Sequence, residues 1–284
     1  METSISTKKA IGGSFTAIII LVISQTLAQL IASMFLLLRI QDGICNIIAG
    51  VLYVSIAYAF LLLFTKKLIK VRASDLGISQ FNIKGKWILT AILLPLAVKA
   101  VYLLMFNGEY VPSNMNANQI FSTLSAGIVF YGLAAGFVEE MVFRGVILNL
   151  LKNRWNIKIA VLVPSVLFGV VHVLGMGFSI ESGLLVIIAG TMVGIMFSAI
   201  AIEGGSVWNS GIVHAIWNIV IIGGGLSVGE NVDEYSVMTY VLDTKAFVIT
   251  GGEFGIESSV ISLMGYIIVA FKAMSMIKLK QKKL

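Results

Sequence analysis

Eight apolar runs set the limits on what this chain can fold into. They fall at about 14–38, 44–64, 87–106, 121–150, 158–177, 182–202, 206–226 and 256–276. A membrane-crossing helix needs roughly 20 predominantly apolar residues. The reading is therefore an all-α, polytopic transmembrane bundle of about eight spans. Composition agrees: 58% of the 284 residues are hydrophobic and 12% are charged, where a soluble domain carries about 25% charge.

Lysine and arginine set the orientation, because they concentrate on the cytoplasmic side of membrane proteins. With the N-terminus inside, the inside segments hold 16 of the 20 basic residues and the outside segments hold Arg39 and Lys245. Both termini are expected in the cytoplasm. The net charge of +6 follows this topology and excludes a nucleic-acid footprint. The basic tail at 278–283 faces anionic lipid on this reading. The segment 68–83 is too polar to span and reads as a connector resting on the membrane surface. The loop 227–255 reads as an acidic outer loop. The first run is too long for the core of a cleavable signal, and no lipidation box is present. Cys45, the single cysteine, allows no internal disulfide and reads as an inert buried thiol.

Charge inside the fourth run needs an explanation. The stretch Gly136-Phe-Val-Glu-Glu-Met-Val-Phe-Arg144 places Glu139, Glu140 and Arg144 in an otherwise apolar helix. A charged side chain at bilayer depth costs roughly 2.5–3.5 kcal/mol on insertion scales. Glu140 and Arg144 are four apart, so they share a face and can pair. That pair reads as structural. Glu139 is rotated away and has no local partner.

The chain has two histidines, and both lie in apolar runs: His172 after Phe168, and His214 four residues before Asn218. At 1.5 Å per residue, Glu139 lies about 20 Å from Lys152 and His172 about 21 Å from Lys158 along the oppositely directed span. His214 lies about 16 Å beyond Glu203. The three can meet. A carboxylate with two imidazoles and an amide suits hydrolysis: Glu139 can take a proton from water, a neutral histidine can position that water or a protonated one can give a proton to the leaving amine, and His214 with Asn218 can stabilise an oxyanion. The same Glu139, His172 and His214 also form a hydrolytic zinc set, so zinc stays open although no cofactor is demanded. Each residue also has a plainer reading. An intramembrane histidine is often a packed, hydrogen-bonded one, Phe168 and Trp217 read as core aromatics, and Gly132, Gly136, Gly190 and Gly194 read as close helix crossings.

Three motifs carry a family resemblance. Glu139-Glu140-x-x-x-Arg144, Phe168-x-x-x-His172 and His214-x-x-x-Asn218 stand in order on apolar spans. Together they resemble the CPBP family, the type II CAAX prenyl proteases and bacteriocin-processing, Abi-like membrane proteases. The resemblance covers about residues 121–226. It implies Glu139 as the water-activating base, His172 as its assistant, His214 and Asn218 as the oxyanion site, and Glu140 and Arg144 as residues that shape the site.

The chain is thus expected to be one membrane domain over 1–284, with N-terminal spans in 1–120, a catalytic core in 121–226, and an outer loop, last span and tail in 227–284. It is expected to be an intramembrane endopeptidase in a bacterial cell membrane, acting on a peptide or membrane-protein substrate among membrane lipids. The alternatives are a non-catalytic immunity or scaffold protein, and a proton-coupled transporter. Absence of an internal repeat weighs against the transporter.

Overall fold

The computed structural model describes residues 5–78, 81–174, 176–177 and 179–282. Among these, eight apolar helices follow in order: α1 (Thr7–Leu37), α2 (Asp42–Phe64), α3 (Gly85–Met105), α4 (Ala117–Arg154), α5 (Ile157–Val171), α6 (Ile180–Gly204), α7 (Val207–Ile221) and α8 (Val260–Gln281). Six are long and apolar enough to cross a membrane; α5 and α7 are shorter apolar helices. With 15 residues each, they extend about 22 Å at 1.5 Å per residue, less than a hydrocarbon core of about 30 Å.

Polar residues at the run boundaries set the helix starts. Side chains of Ser6, Asn156, Ser179, Ser206 and Ser259 each accept a hydrogen bond from a backbone N–H of the following first turn, which satisfies donors that a helix leaves open. Asn116 and Gln119 cap α4 reciprocally. Gly205, at φ 76°, ends α6, and Ser206 caps the start of α7, so the two helices are joined by a tight turn.

Small residues let the helices approach, as in membrane bundles generally. The buried face of α1 is Ala10, Gly13, Ser14, Ala17, Ser24, Ala28 and Ala32, and it packs on α2. A methyl group on Gly136 of α4 would come 2.8 Å from the Ala215 backbone of α7. One on Gly190 of α6 would come 2.4 Å from the Gly169 backbone of α5.

Glu203 ties three helix ends together. Its Oε1 accepts from Lys86 of α3 and Lys280 of α8, both at 2.6 Å, and its Oε2 accepts from the Trp87 indole at 2.9 Å.

One expectation needs correction. The protein is mostly helical but not all-α. Strands β1 (Gly108–Pro112), β2 (Leu226–Gly229) and β3 (Met238–Leu242) form a small sheet in the order β1-β3-β2. β1 runs antiparallel to β3, pairing Gly108 with Leu242, and β2 runs parallel to β3, pairing Leu226 with Met238. Strands of four and five residues fall below any window scaled to a membrane crossing. The acidic loop 227–255 therefore contains ordered structure, and Lys99 of α3 donates to the Leu226 carbonyl just before it. In the connector 68–83, Ser79 and Gln80 lie outside the described residues, as does Lys283 of the tail. Its middle packs onto the end of the bundle, while Leu68 and Phe81 stay exposed. Leu76 and Ile78 are each 1% exposed. The Ile78 carbonyl accepts from the Trp208 indole at 2.9 Å, and the Gly77 carbonyl accepts from the Val207 N–H.

Candidate active site

The glutamate pair sits on an irregular helix. Within α4, residues Ala126–Ala134 and Met141–Ile147 are π-helical, and the α-helical stretch between them, Ala135–Glu140, ends on the pair. π-Helical turns are rare and recur at functional sites. The Gly136–Ala215 crossing brings this stretch against α7, which carries His214 and Asn218.

Glu140 is consumed by its surroundings. Its Oε1 accepts from Arg144 at 2.7 Å, and neither side chain has any exposed surface. The second Arg144 nitrogen donates to the Gly194 carbonyl of α6 at 3.1 Å. The guanidinium lies 4.7 Å from the Phe168 ring and 5.2 Å from the Phe197 ring, contacts that favour a desolvated cation. Glu140 also holds His214, whose Nδ1 lies 3.2 Å from Oε1. A carboxylate only accepts, so Nδ1 carries the proton of that bond. The His214 ring stacks on Phe197 at 4.6 Å.

His214 then turns its other nitrogen to Glu139, with Nε2 3.8 Å from Oε2. Glu139 keeps 19% of its side-chain surface exposed, and its Oε2 has no hydrogen-bond partner. Among the described residues, Glu140 Oε2, Arg144 Nε and the Tyr53 hydroxyl are also buried without a partner.

The expected residues thus fall into two groups. Glu139, Glu140, Arg144 and His214 form one cluster, with Phe168 packed against Arg144 and His214. His172 and Asn218, with His214 and Phe168, line a neighbouring cavity of about 460 Å³. His172 does not lie inside a helix: α5 stops at Val171, and His172 is its C-terminal cap. The Nδ1 of His172 lies 2.6 Å from the Phe168 carbonyl, so the proton is on Nδ1 and Nε2 is left free. Asn218 gives one amide hydrogen to the Tyr131 carbonyl at 2.9 Å, which leaves its second hydrogen and its oxygen.

The zinc alternative meets a geometric difficulty. Glu139, His172 and His214 are not gathered as a chelate, and no group of three His, Cys, Asp or Glu among the described residues is placed to hold a metal ion. No step is routed through a metal here.

The sequence reading passed over one acid. Glu257, in a short turn (Ile256–Ser258) just before α8, lines the same cavity as His172 and His214. Burial pushes its carboxyl up to about 7, while the Trp217 hydrogen bond and the charge of His214 pull it down and the charge of Glu139 raises it. The signal was available, because Glu257 stands at the edge of the last apolar run.

Comparison with known proteins bears on this same region. No curated protein and no solved structure gives a significant match. A family model does match, described as type II CAAX prenyl endopeptidase Rce1-like, over residues 121–220. That interval begins in α4 and ends in α7, and it contains every motif residue named above. Residues 121–220 are thus similar to the Rce1-like type II CAAX prenyl endopeptidases.

Proposed function

We propose that the protein is an intramembrane endopeptidase that hydrolyses a peptide bond in a membrane-associated or lipidated peptide or protein by glutamate-activated water. The carrying observation is the contrast inside the glutamate pair: Glu140 is held by Arg144 and His214, while Glu139 Oε2 is buried, next to His214, and without a hydrogen-bond partner. Glu139 accepts the proton of the attacking water and passes it to the leaving amine as the C–N bond breaks. His172, through the free Nε2, orients that water. His214 Nε2, when protonated, and the second amide hydrogen of Asn218 donate to the oxyanion. Glu140 and Arg144 hold His214 in place.

The bundle is read as eight spans with both termini cytoplasmic in a bacterial cell membrane. The basic-residue distribution supports this, as does the gathering of Lys86, Glu203 and Lys280 at one end. The test is cleavage of internally quenched apolar or lipidated peptides by the purified protein in detergent, wild type beside Glu139→Gln, each with and without a chelator. Cleavage that survives the chelator and vanishes in Glu139→Gln is expected. Equal cleavage by both proteins overturns the reading. Loss with chelator alone transfers the chemistry to a metal.

A further inference from the structure

The cavity next to the glutamate pair has an unbalanced charge. Its wall is mostly apolar and aromatic, and Glu257 is the acid that lines it; no lysine or arginine among the described residues does so. Arg144 cannot reach in, because it is 1% exposed and bonded to Glu140 and Gly194. A carboxylate removed from water costs several kcal/mol unless a positive partner meets it. Of the groups that line it, His172 and His214 alone could carry a positive charge, and His214 is already held by Glu140 and faces Glu139.

The surroundings of Glu257 are equally specific. Tyr266 donates its hydroxyl to the Glu257 backbone carbonyl at 3.0 Å, and its ring meets Trp217 edge to face at 5.0 Å. Phe254, three residues earlier, approaches His172 edge to face at 6.2 Å. One short segment before α8 therefore delivers an aromatic ring to the candidate water-positioning histidine and a carboxylate to the cavity. Aromatic faces beside a carboxylate form a surface suited to an ammonium or guanidinium group.

The geometry points to Glu257 as a specificity residue that receives a cationic group of the substrate, next to the bond being cut. This inference rests on the peptidase reading and adds a substrate class: apolar peptides with a lysine or arginine side chain, or a free amino terminus, near the cleavage position. The 121–220 domain supplies the hydrolytic residues, and the segment beyond it supplies the preference.

The experiment compares quenched apolar peptides that differ at one scanned position, lysine against its uncharged isostere norleucine and against glutamate, each with a free or acetylated amino terminus. The wild type is expected to favour lysine over norleucine by about tenfold in kcat/KM, the effect of one partly desolvated cation contact. A preference that follows the free amino terminus instead identifies that ammonium as the cation. Glu257→Gln brings the lysine-to-norleucine ratio to about one, and Glu257→Lys reverses it toward glutamate. An unchanged ratio in Glu257→Gln, or norleucine as the best wild-type substrate, overturns the inference while cleavage itself upholds the peptidase reading. Binding of the same peptides, fluorescently labelled, to Glu139→Gln and to the Glu139→Gln, Glu257→Gln double variant separates the two ideas. Lysine-selective binding that the double variant loses upholds the cation site even if nothing is cleaved. Equal binding of lysine and norleucine peptides to Glu139→Gln rejects the site.

Discussion

Glu203 and Glu139, two carboxylates inside this bundle, are treated in opposite ways. Glu203 has no exposed side-chain surface, and both its oxygens are filled, one by Lys86 and Lys280 and the other by Trp87. Glu139 is partly exposed and keeps one oxygen without a partner. Buried polar groups in native proteins are nearly always paired, so an unpaired one calls for a reason. Glu203 is a fastener between helix ends. Glu139 is an acceptor held ready, with its neighbour Glu140 absorbing the local cation.

The sharpest break of this contrast is Glu139→Gln, an isosteric change that removes the base. It is expected to lower kcat by about 10³-fold, within the range for loss of a general base. Thermal unfolding in detergent should stay near wild type, because no bond to Glu139 is lost. Cleavage that persists would erase the distinction. Asn218→Ala should lower kcat by about 10²-fold with little change in KM, as for an oxyanion donor; a pure KM effect would make Asn218 a binding residue only. Glu203→Ala probes the other side. It orphans the buried Trp87 indole, which should cost about 1–3 kcal/mol of stability, seen as a lower unfolding midpoint with cleavage per folded molecule intact. The smallest effect belongs to Lys280→Met. Its side chain is 54% exposed and Lys86 still meets the same Glu203 oxygen when it is gone, so the midpoint should move least.

The same contrast explains what the sequence made legible. Glu139, Glu140, Arg144, His172, His214 and Asn218 were visible because polar residues are exceptions inside apolar runs, and their i, i+4 spacings state which share a face. Their bonding was not visible. Nothing in the spacing indicated that His214 would bridge both glutamates, or that His172 would cap α5 and give its Nδ1 proton to Phe168. Those facts depend on where α5 stops and on how closely Gly136 lets α7 approach. The sheet was hidden because Met238–Leu242 is short and its partners lie far away in sequence. The packing of the connector at Leu76 and Ile78 was hidden because its apolar residues are few and its carbonyls serve Trp208 and Val207 of a distant helix. Glu257 was hidden by its position, one residue inside a run whose edge was read as the end of a loop.

The two π-helical stretches of α4 carry a different consequence, one of chain length. A π stretch holds about one residue more than an α-helix of equal rise. Deleting Val146 would let Met141–Ile147 tighten to ordinary i→i−4 bonding, with the flanking turns keeping their facing. Deleting one residue from the regular helix α6 would instead rotate everything beyond it by about 100° and carry Phe197 off the His214 ring. The helix bearing the glutamate pair can therefore shorten by one residue without losing register, an indel tolerance in a segment that tolerates little else.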